Sequence, residues 1–142
     1  MHAYKVLLGE ILVRRNKITR EQLETALEVQ KKDKGFIGEI LVKLGFLDER
    51  DIVAALVIQL GLPYIAVNKY TIDPAIIRLI PLEVAQKERV ISLDRIGDIL
   101  SVVMANPLTE DKKRYLESLT KCSIVTFIST KTEIIEAIAR NY

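Results

Sequence analysis

The chain has 142 residues, of which 49% are hydrophobic and 28% charged, so it carries enough apolar side chains for a buried core and lacks the composition of a disordered segment. Its 21 basic and 19 acidic residues are interspersed, which argues against the basic surface of a nucleic-acid-binding protein. The charge-poor stretch 52–67 is interrupted by Gln59, Gly61 and Pro63, so it falls short of the roughly 20 apolar residues of a membrane span. The first residues lack the apolar centre of a signal peptide, and we expect a cytoplasmic protein without a transmembrane segment.

A segment near the start of the chain occurs twice. Residues 8–13, Leu-Gly-Glu-Ile-Leu-Val, return 29 positions later as residues 37–42, Ile-Gly-Glu-Ile-Leu-Val. Three further positions match at the same offset, namely Ala26, Leu27 and Gln30 with Ala55, Leu56 and Gln59. A period of this length indicates one supersecondary unit that has been copied, and each copy is too small to bury its apolar face alone. We therefore expect the two copies to pack on each other.

Each copy has the pattern of a helix, a turn and a second helix. The first helix of each copy is predicted to end at Asn16 or Gly45, the two residue types that most readily adopt the left-handed conformation after a helix. Thr19 and Gln22 then form a predicted capping box at the start of the second helix, and Asp48 takes the place of Thr19 in the second copy. At the ends of the first helices, the two copies are therefore expected to share a backbone conformation although the residues differ.

The second half of the chain changes in character. Residues 64–67 have the pattern of a short extended segment, and Asp73 is predicted to cap a helix that opens at Pro74 and covers 75–80. The remaining predicted elements are a helix over 82–89, strands over 90–93 and 99–104 joined by a hairpin connection over 94–98, a helix over about 109–120, a strand over 123–129 and a helix over 131–140.

These elements predict an α+β fold in two parts. The first part is a duplicated helix-turn-helix half over residues 1–67, with repeats at 8–30 and 37–59. The second part is a small α/β subdomain over residues 68–142, with a sheet of approximately three strands.

The sequence offers few residues for catalysis. It contains no Gly-x-x-x-x-Gly-Lys-Ser/Thr phosphate loop, no Gly-x-Ser-x-Gly elbow and no His-Glu-x-x-His pair. Its one histidine, His2, lies at the terminus, whereas metal sites need several His or Cys ligands. Its one cysteine, Cys122, precludes an internal disulfide and is expected to be a half-buried structural residue at the mouth of a strand. We therefore expect no catalytic residue, no metal and no cofactor in this chain.

The repeated glycine, Gly9 and Gly38, leaves two interpretations open. Glycine inside an amphipathic helix costs about 1 kcal/mol relative to alanine, so its presence in both copies suggests that something approaches the backbone closely. One interpretation is a tight helix crossing between the two repeat units. The other is a ligand against the amides at the helix start, where anions such as phosphate are favoured. The repeated carboxylates, Glu10 and Glu39, are interpreted as solvated side chains or as partners of Lys and Arg.

Both halves of the chain resemble the N-terminal, or MshEN, domain of the type II secretion and type IV pilus assembly ATPases. In the first half the resemblance is carried by Leu8, Gly9, Leu12, Val13, Leu23, Leu27 and Gln30, and by Ile37, Gly38, Leu41, Val42, Gly45, Ile52, Leu56 and Gln59. In the second half it is carried by residues 73–77, 80–81, Ala85 and 102–107. The resemblance covers essentially the whole chain.

The resemblance implies a non-catalytic regulatory and docking domain placed ahead of a hexameric motor ATPase, peripheral to the inner membrane on its cytoplasmic side. The implied partners are an inner-membrane platform protein of the secretion or pilus machine and the motor ATPase domain in the same or a neighbouring chain, with no nucleic acid. The alternative implied by the resemblance is a cyclic di-GMP sensor, in which each motif grips half of the dinucleotide as a regulatory ligand. The fifteen repeat positions just named are then the candidate ligand-binding residues.

The chain departs from the family pattern at two positions. Members that bind cyclic di-GMP carry Arg immediately before the Leu-Gly of each motif, whereas this chain has Leu7 and Phe36. A guanidinium group can both stack on a base and contact a phosphate, while Phe36 can only stack. Should the dinucleotide bind, Gly38→Leu is expected to abolish binding in a folded chain.

Overall fold

The computed structural model describes residues 8–142, so His2 and Leu7 lie outside the described residues. The chain divides into two compact units, the first ending at Gly61 and the second beginning at Leu62. Helices alone form the described part of the first unit, and helices with a three-stranded sheet form the second, which confirms the predicted α+β fold class. Within residues 8–142, every helix is too short or too polar to cross a bilayer.

The first unit contains four helices. They are α1 (Leu8–Arg14), α2 (Arg20–Asp33), α3 (Ile37–Lys43) and α4 (Glu49–Leu60). The two short helices, α1 and α3, contact each other, and each of them also contacts both long helices. The predicted packing of the two copies on each other is therefore confirmed, with the twin hexapeptides at its centre.

The first helix of each copy ends in the same way. Asn16 has a φ of 59° and Gly45 a φ of 80°. In both copies the amide of this residue donates to the carbonyl three residues earlier, and the next amide donates to the carbonyl five residues earlier, with N···O distances of 2.9–3.1 Å. These two bonds define a Schellman motif. The predicted agreement of the two backbones is confirmed.

The second helix of each copy begins with a capping box. The Thr19 hydroxyl accepts from the Gln22 amide at 3.1 Å, and the Thr19 amide donates to the Gln22 side chain at 2.9 Å. In the second copy Asp48 accepts from the Asp51 amide at 3.1 Å and donates its own amide to the Asp51 carboxylate at 3.0 Å. Both predicted caps are confirmed, and Asp51 completes the second one.

The second unit follows α4 with short helices and a mixed sheet. Its elements in chain order are a 3₁₀ turn (Val67–Lys69), α5 (Pro74–Ile77), α6 (Leu82–Glu88), β1 (Val90–Ile96), β2 (Ile99–Met104), α7 (Glu110–Thr120), β3 (Ser123–Ile128) and α8 (Lys131–Asn141). The strand order is β1-β2-β3, with an antiparallel β1–β2 hairpin and a parallel β2–β3 pair joined through α7. The core of this unit includes Leu100, Val102 and Val103 of the central strand and Leu116 and Ile134 of the helices, all fully buried.

The predicted extended segment at residues 64–67 was wrong in extent. A parallel bridge to Ile128 is formed at Tyr64, and a 3₁₀ turn already begins at Val67. The buried Ser129 hydroxyl diverts the chain here, because it donates to the Ile65 carbonyl and accepts from the Val67 amide at 3.3 Å.

Two further boundaries differ from the prediction. The helix predicted over 75–80 ends at Ile77, since Pro81 disfavours the helical conformation at the residue before it and Ile80 instead becomes fully buried. The hairpin connection predicted over 94–98 is a two-residue turn, so β1 continues through a bulge at Leu93 and reaches Ile96. The predicted helix over 82–89 and strand over 123–129 each end one residue earlier.

Cys122 is more buried than expected. It is 5% exposed, and its thiol donates to the Thr120 carbonyl at 3.4 Å in the turn between α7 and β3.

Candidate functional site

The fifteen repeat positions that carry the resemblance divide by exposure. Most of them lie inside the helix pairs: Leu8, Gly9, Leu12, Leu23, Gly38, Leu41, Ile52 and Leu56 are buried. The others reach the surface: Val13, Gln30, Ile37 and Val42 are half-buried, and Leu27, Gly45 and Gln59 are exposed. The motif is therefore chiefly the inside of the first unit, with a small accessible set around it.

Gly9 is explained by close helix packing. A β-carbon built on Gly9 would lie 2.5 Å from Cδ1 and 3.2 Å from Cδ2 of Leu23. The close approach is between α1 and α2 of the first copy, whereas the packing interpretation placed it between the two copies. The space next to Gly9 is thus occupied by protein, which favours packing over a ligand at this glycine.

Equivalent positions of the two copies differ in exposure. Leu27 on α2 is 38% exposed, whereas its repeat counterpart Leu56 on α4 is fully buried. The two copies therefore differ at this repeat position, since the first copy has an accessible leucine where the second has a buried one.

The repeated glutamines also differ. The Gln30 side chain donates to the Gly35 carbonyl at 2.9 Å and so closes the link between α2 and α3, where Gly35 has a φ of 100°. Gln59 is exposed on the last turn of α4. Gln59 is the freer of the two amides for contact with a ligand.

The two copies also differ in the charges that they carry. Glu10 accepts a hydrogen bond from the Arg20 guanidinium at 2.8 Å, and this bond holds the pKa of the Glu10 carboxyl below its ordinary value. The repeat counterparts of this pair, Glu39 and Glu49, are both acidic. Residues 37–59 carry four acidic and two basic side chains, whereas residues 8–30 carry four of each. The second copy is thus the less favourable one for a phosphate.

Phe36 stands where a cyclic di-GMP-binding motif would carry Arg. It is the N-cap residue of α3, with an extended backbone and a half-buried side chain that makes no capping hydrogen bond. Within residues 8–142, no three His, Cys, Asp or Glu side chains are grouped to hold a metal ion.

A second accessible feature lies on the sheet and was missed by sequence reasoning. Ile96, Ile99 and Val125 are 76%, 49% and 45% exposed, and we call this trio the hairpin patch. The β1–β2 register places Ile96 opposite Ile99, and the β2–β3 register places Val125 beside Ser101. Side chains opposite each other or two residues apart on one strand share a face of a sheet. The signal in the sequence was the pair of isoleucines that flank Gly97 and Asp98.

The segment before α5 is tied to α8 by polar side chains. The Tyr64 hydroxyl donates to Glu133 at 2.5 Å, and this bond raises the pKa of Tyr64 to about 12. The Asn68 amide donates to Glu136 at 2.8 Å. At the end of α8 the Tyr142 hydroxyl donates to the Ile80 carbonyl at 2.6 Å, and burial raises its pKa to about 12.

The second half of the chain matches a known domain family. The MshEN domain profile matches residues 60–142, which is more than half of the chain, and the chain therefore belongs to the MshEN domain family. The type IV pilus assembly ATPase PilB of Myxococcus xanthus is 39% identical over 135 residues, which cover 95% of this chain and 24% of that protein. PilB of Thermus thermophilus is 30% identical and is matched over 95% of this chain and 15% of its own length. The chain thus spans about a quarter or less of these relatives.

Two solved structures share the fold. A structure of MshE with cdg is 29% identical, with a TM-score of 0.73 over 95% of this chain and 98% of that one. The N-terminal domain of XpsE is 17% identical, with a TM-score of 0.80 over 100% of this chain and 98% of that one. The family resemblance predicted from the sequence is confirmed.

Proposed function

We propose that this chain is a non-catalytic regulatory and docking domain of a type IV pilus assembly or type II secretion motor ATPase. The observation that carries the proposal is one of length: the relatives named as ATPases are matched over 24% and 15% of their length, and the matched part of this sequence has no phosphate loop. The ATPase activity for which these relatives are named then lies in the larger part of their length that this chain does not match. Its partners are the motor domain in the same or a neighbouring chain and the inner-membrane platform protein, through which it is peripheral to the inner membrane on the cytoplasmic side.

The first unit is suited to a rigid supporting role. Its twin motifs are largely buried, its four helices are closed by two Schellman motifs and two capping boxes, and α1 and α3 join both copies. Such a unit keeps its own surface in a fixed geometry, which favours docking because immobilising flexible groups on binding costs free energy.

Binding in trans tests this function. The labelled chain is titrated against Myxococcus xanthus PilB lacking its matched segment and against the cytoplasmic part of the platform protein, with an unrelated helical protein of similar charge as the control. We expect saturable binding to one of the two partners. Binding to neither, at concentrations to which both remain soluble, would remove the proposal.

A second candidate function is that of a cyclic di-GMP sensor. It is favoured by the structure of MshE with cdg, the abbreviation of cyclic di-GMP, at 29% identity. Leu27, Gln59 and the half-buried Val13 and Val42 are among the accessible motif side chains that could contact the dinucleotide. Two features of the sequence weaken binding of a phosphate by this chain: the second copy is acidic, and position 36 is Phe instead of Arg.

Isothermal titration with cyclic di-GMP tests the sensor function. Saturable heat with a dissociation constant in the micromolar range would support it, and no heat at high micromolar dinucleotide would exclude it. Gly38→Leu is a poor companion variant because Gly38 is buried and a larger side chain would disturb the helix pair. Gln59→Ala is better, since Gln59 is exposed: it should weaken binding about tenfold and leave thermal unfolding unchanged.

A further inference from the structure

The hairpin patch lies on a sheet face that is covered at one end and bare at the other. Ile91 and Val103, which pair with each other on this face, are fully buried. Towards the hairpin turn the same face carries Ile96 and Ile99, which are 76% and 49% exposed. The covering of this face therefore stops within the length of the strands.

On the opposite face, strands β2 and β3 are covered along the same stretch. Leu100 and Ile124, which are paired between β2 and β3, are 0% and 4% exposed. The exposure of the hairpin patch is thus specific to one face and is not a result of fraying at the end of the sheet. Single exposed apolar residues are normal, but adjoining ones that together expose on the order of a few hundred Å² resemble the patches that soluble proteins use for contacts.

We propose that the hairpin patch is the surface on which the motor ATPase portion of the same longer chain docks; this rests on the proposed function. The chain matches 24% and 15% of the length of the two relatives, so at least three quarters of each relative lies outside the matched segment. In a longer chain of that kind, the remainder is large enough to be a tethered partner. A tethered partner acts at an effective concentration of up to millimolar, so a small contact is enough. A second copy of this chain would need about 800 Å² per partner for a stable interface, which exceeds this patch.

The charges around the patch specify the partner further. Asp94 lies opposite Ser101 on the same face, and Asp98 lies in the turn between β1 and β2; both acids are exposed. The Arg95 Nε–H donates a hydrogen bond to the Gly97 carbonyl at 2.8 Å within the hairpin. The complementary surface on the motor portion therefore presents aliphatic or aromatic side chains with Lys or Arg at the rim that meets Asp94.

Hydrogen exchange in a fused chain tests this assignment. The chain replaces the matched segment of Myxococcus xanthus PilB, and amide exchange over residues 94–101 is compared between the fusion and the isolated chain. We expect exchange to slow at least tenfold in the fusion. The slowing should be lost with Ile96→Ser combined with Ile99→Ser and kept with Ile135→Ser, a matched variant on α8 that is 45% exposed. Val125→Ser provides a second patch variant should the double one unfold.

The other outcomes are distinct. Equal exchange in the fusion and the isolated chain, or slowing confined to another surface, would overturn the hairpin assignment; slowing elsewhere would leave the proposed docking function standing. Slowing in the isolated chain that grows with its concentration would make a second copy the occupant and contradict the proposal. Absence of binding to both partners in trans is the separate result that fails the proposed function itself.

Discussion

The Leu23 side chain fills the space in which a β-carbon of Gly9 would lie, with Cδ1 at 2.5 Å from that position. Real β-carbons do not approach other atoms so closely, so the Leu23 side chain can take this position on α2 because residue 9 is glycine. Glycine lowers the stability of α1 relative to alanine, but it leaves room for the Leu23 side chain in the first copy.

A double-mutant cycle on these two residues checks that relationship. Gly9→Ala should lower the free energy of unfolding, because overpacking costs about 1–3 kcal/mol and the better helix propensity of alanine returns about 1 kcal/mol. In a Leu23→Ala background the same change should be neutral or stabilising, since the conflicting side chain is gone. Urea unfolding of the four chains measures the coupling. Equal effects of Gly9→Ala in both backgrounds would show that Leu23 is not the reason for the glycine.

The two copies should respond differently at equivalent leucines. Leu56 is fully buried, so Leu56→Ala should lower the free energy of unfolding by about 2–5 kcal/mol. Leu27 is 38% exposed, so Leu27→Ala should cost less than about 1 kcal/mol. Urea unfolding compares the pair directly. Similar losses at both positions would contradict the asymmetry of the two surfaces.

The helix ends provide a second matched comparison. Gly45 has a φ of 80° and no atom within 4 Å of a built β-carbon, so Gly45→Ala is opposed by the backbone conformation alone. It should lose about 1–2 kcal/mol. Gly45→Asn should lose less, because Asn tolerates this conformation, as Asn16 does in the first copy. A higher unfolding midpoint for Gly45→Ala than for Gly45→Asn would disprove this explanation.

Tyr64 should make stability depend on pH in the alkaline range. Its pKa is about 12 in the folded chain, where its hydroxyl donates to Glu133, against an ordinary value of 10.0. A raised pKa means that the folded chain favours the neutral form, so this contribution is complete below pH 10 and is lost as the pH rises to about 12. Tyr142 adds a contribution of the same sign, with a pKa of about 12.

Tyr64→Phe isolates the first of these contributions. The fall in the free energy of unfolding between pH 10 and 12 should become shallower but not disappear, because Tyr142 remains. Urea unfolding across this range measures it, with Tyr115→Phe, a substitution at an exposed tyrosine, as the control. An unchanged slope in Tyr64→Phe would contradict a role for the bond to Glu133.

Local signals in the sequence were sufficient for much of the fold. The 29-residue offset, the Asn16 and Gly45 helix ends and the Thr19 and Asp48 caps each depend on a few neighbouring residues, and all are present in the structure. The 3₁₀ turn at Val67 was not predictable in this way, because it depends on Ser129, which is 62 positions away in the sequence.

The candidate site was less predictable than the fold for a similar reason. The repeat makes Leu27 and Leu56 equivalent, and only tertiary packing distinguishes the exposed residue from the buried one. The hairpin patch was hidden because isoleucine favours strands whether or not it is covered, so Ile96 and Ile99 predicted a strand without predicting a surface.

ATP turnover is the most direct test of a regulatory and docking role. The rate of Myxococcus xanthus PilB is compared with its matched segment deleted, and with this chain inserted in the place of that segment. We expect the two rates to differ about fivefold or more, the usual scale of coupling between a regulatory domain and its partner. Equal rates over the full range of ATP concentrations would contradict the proposed function.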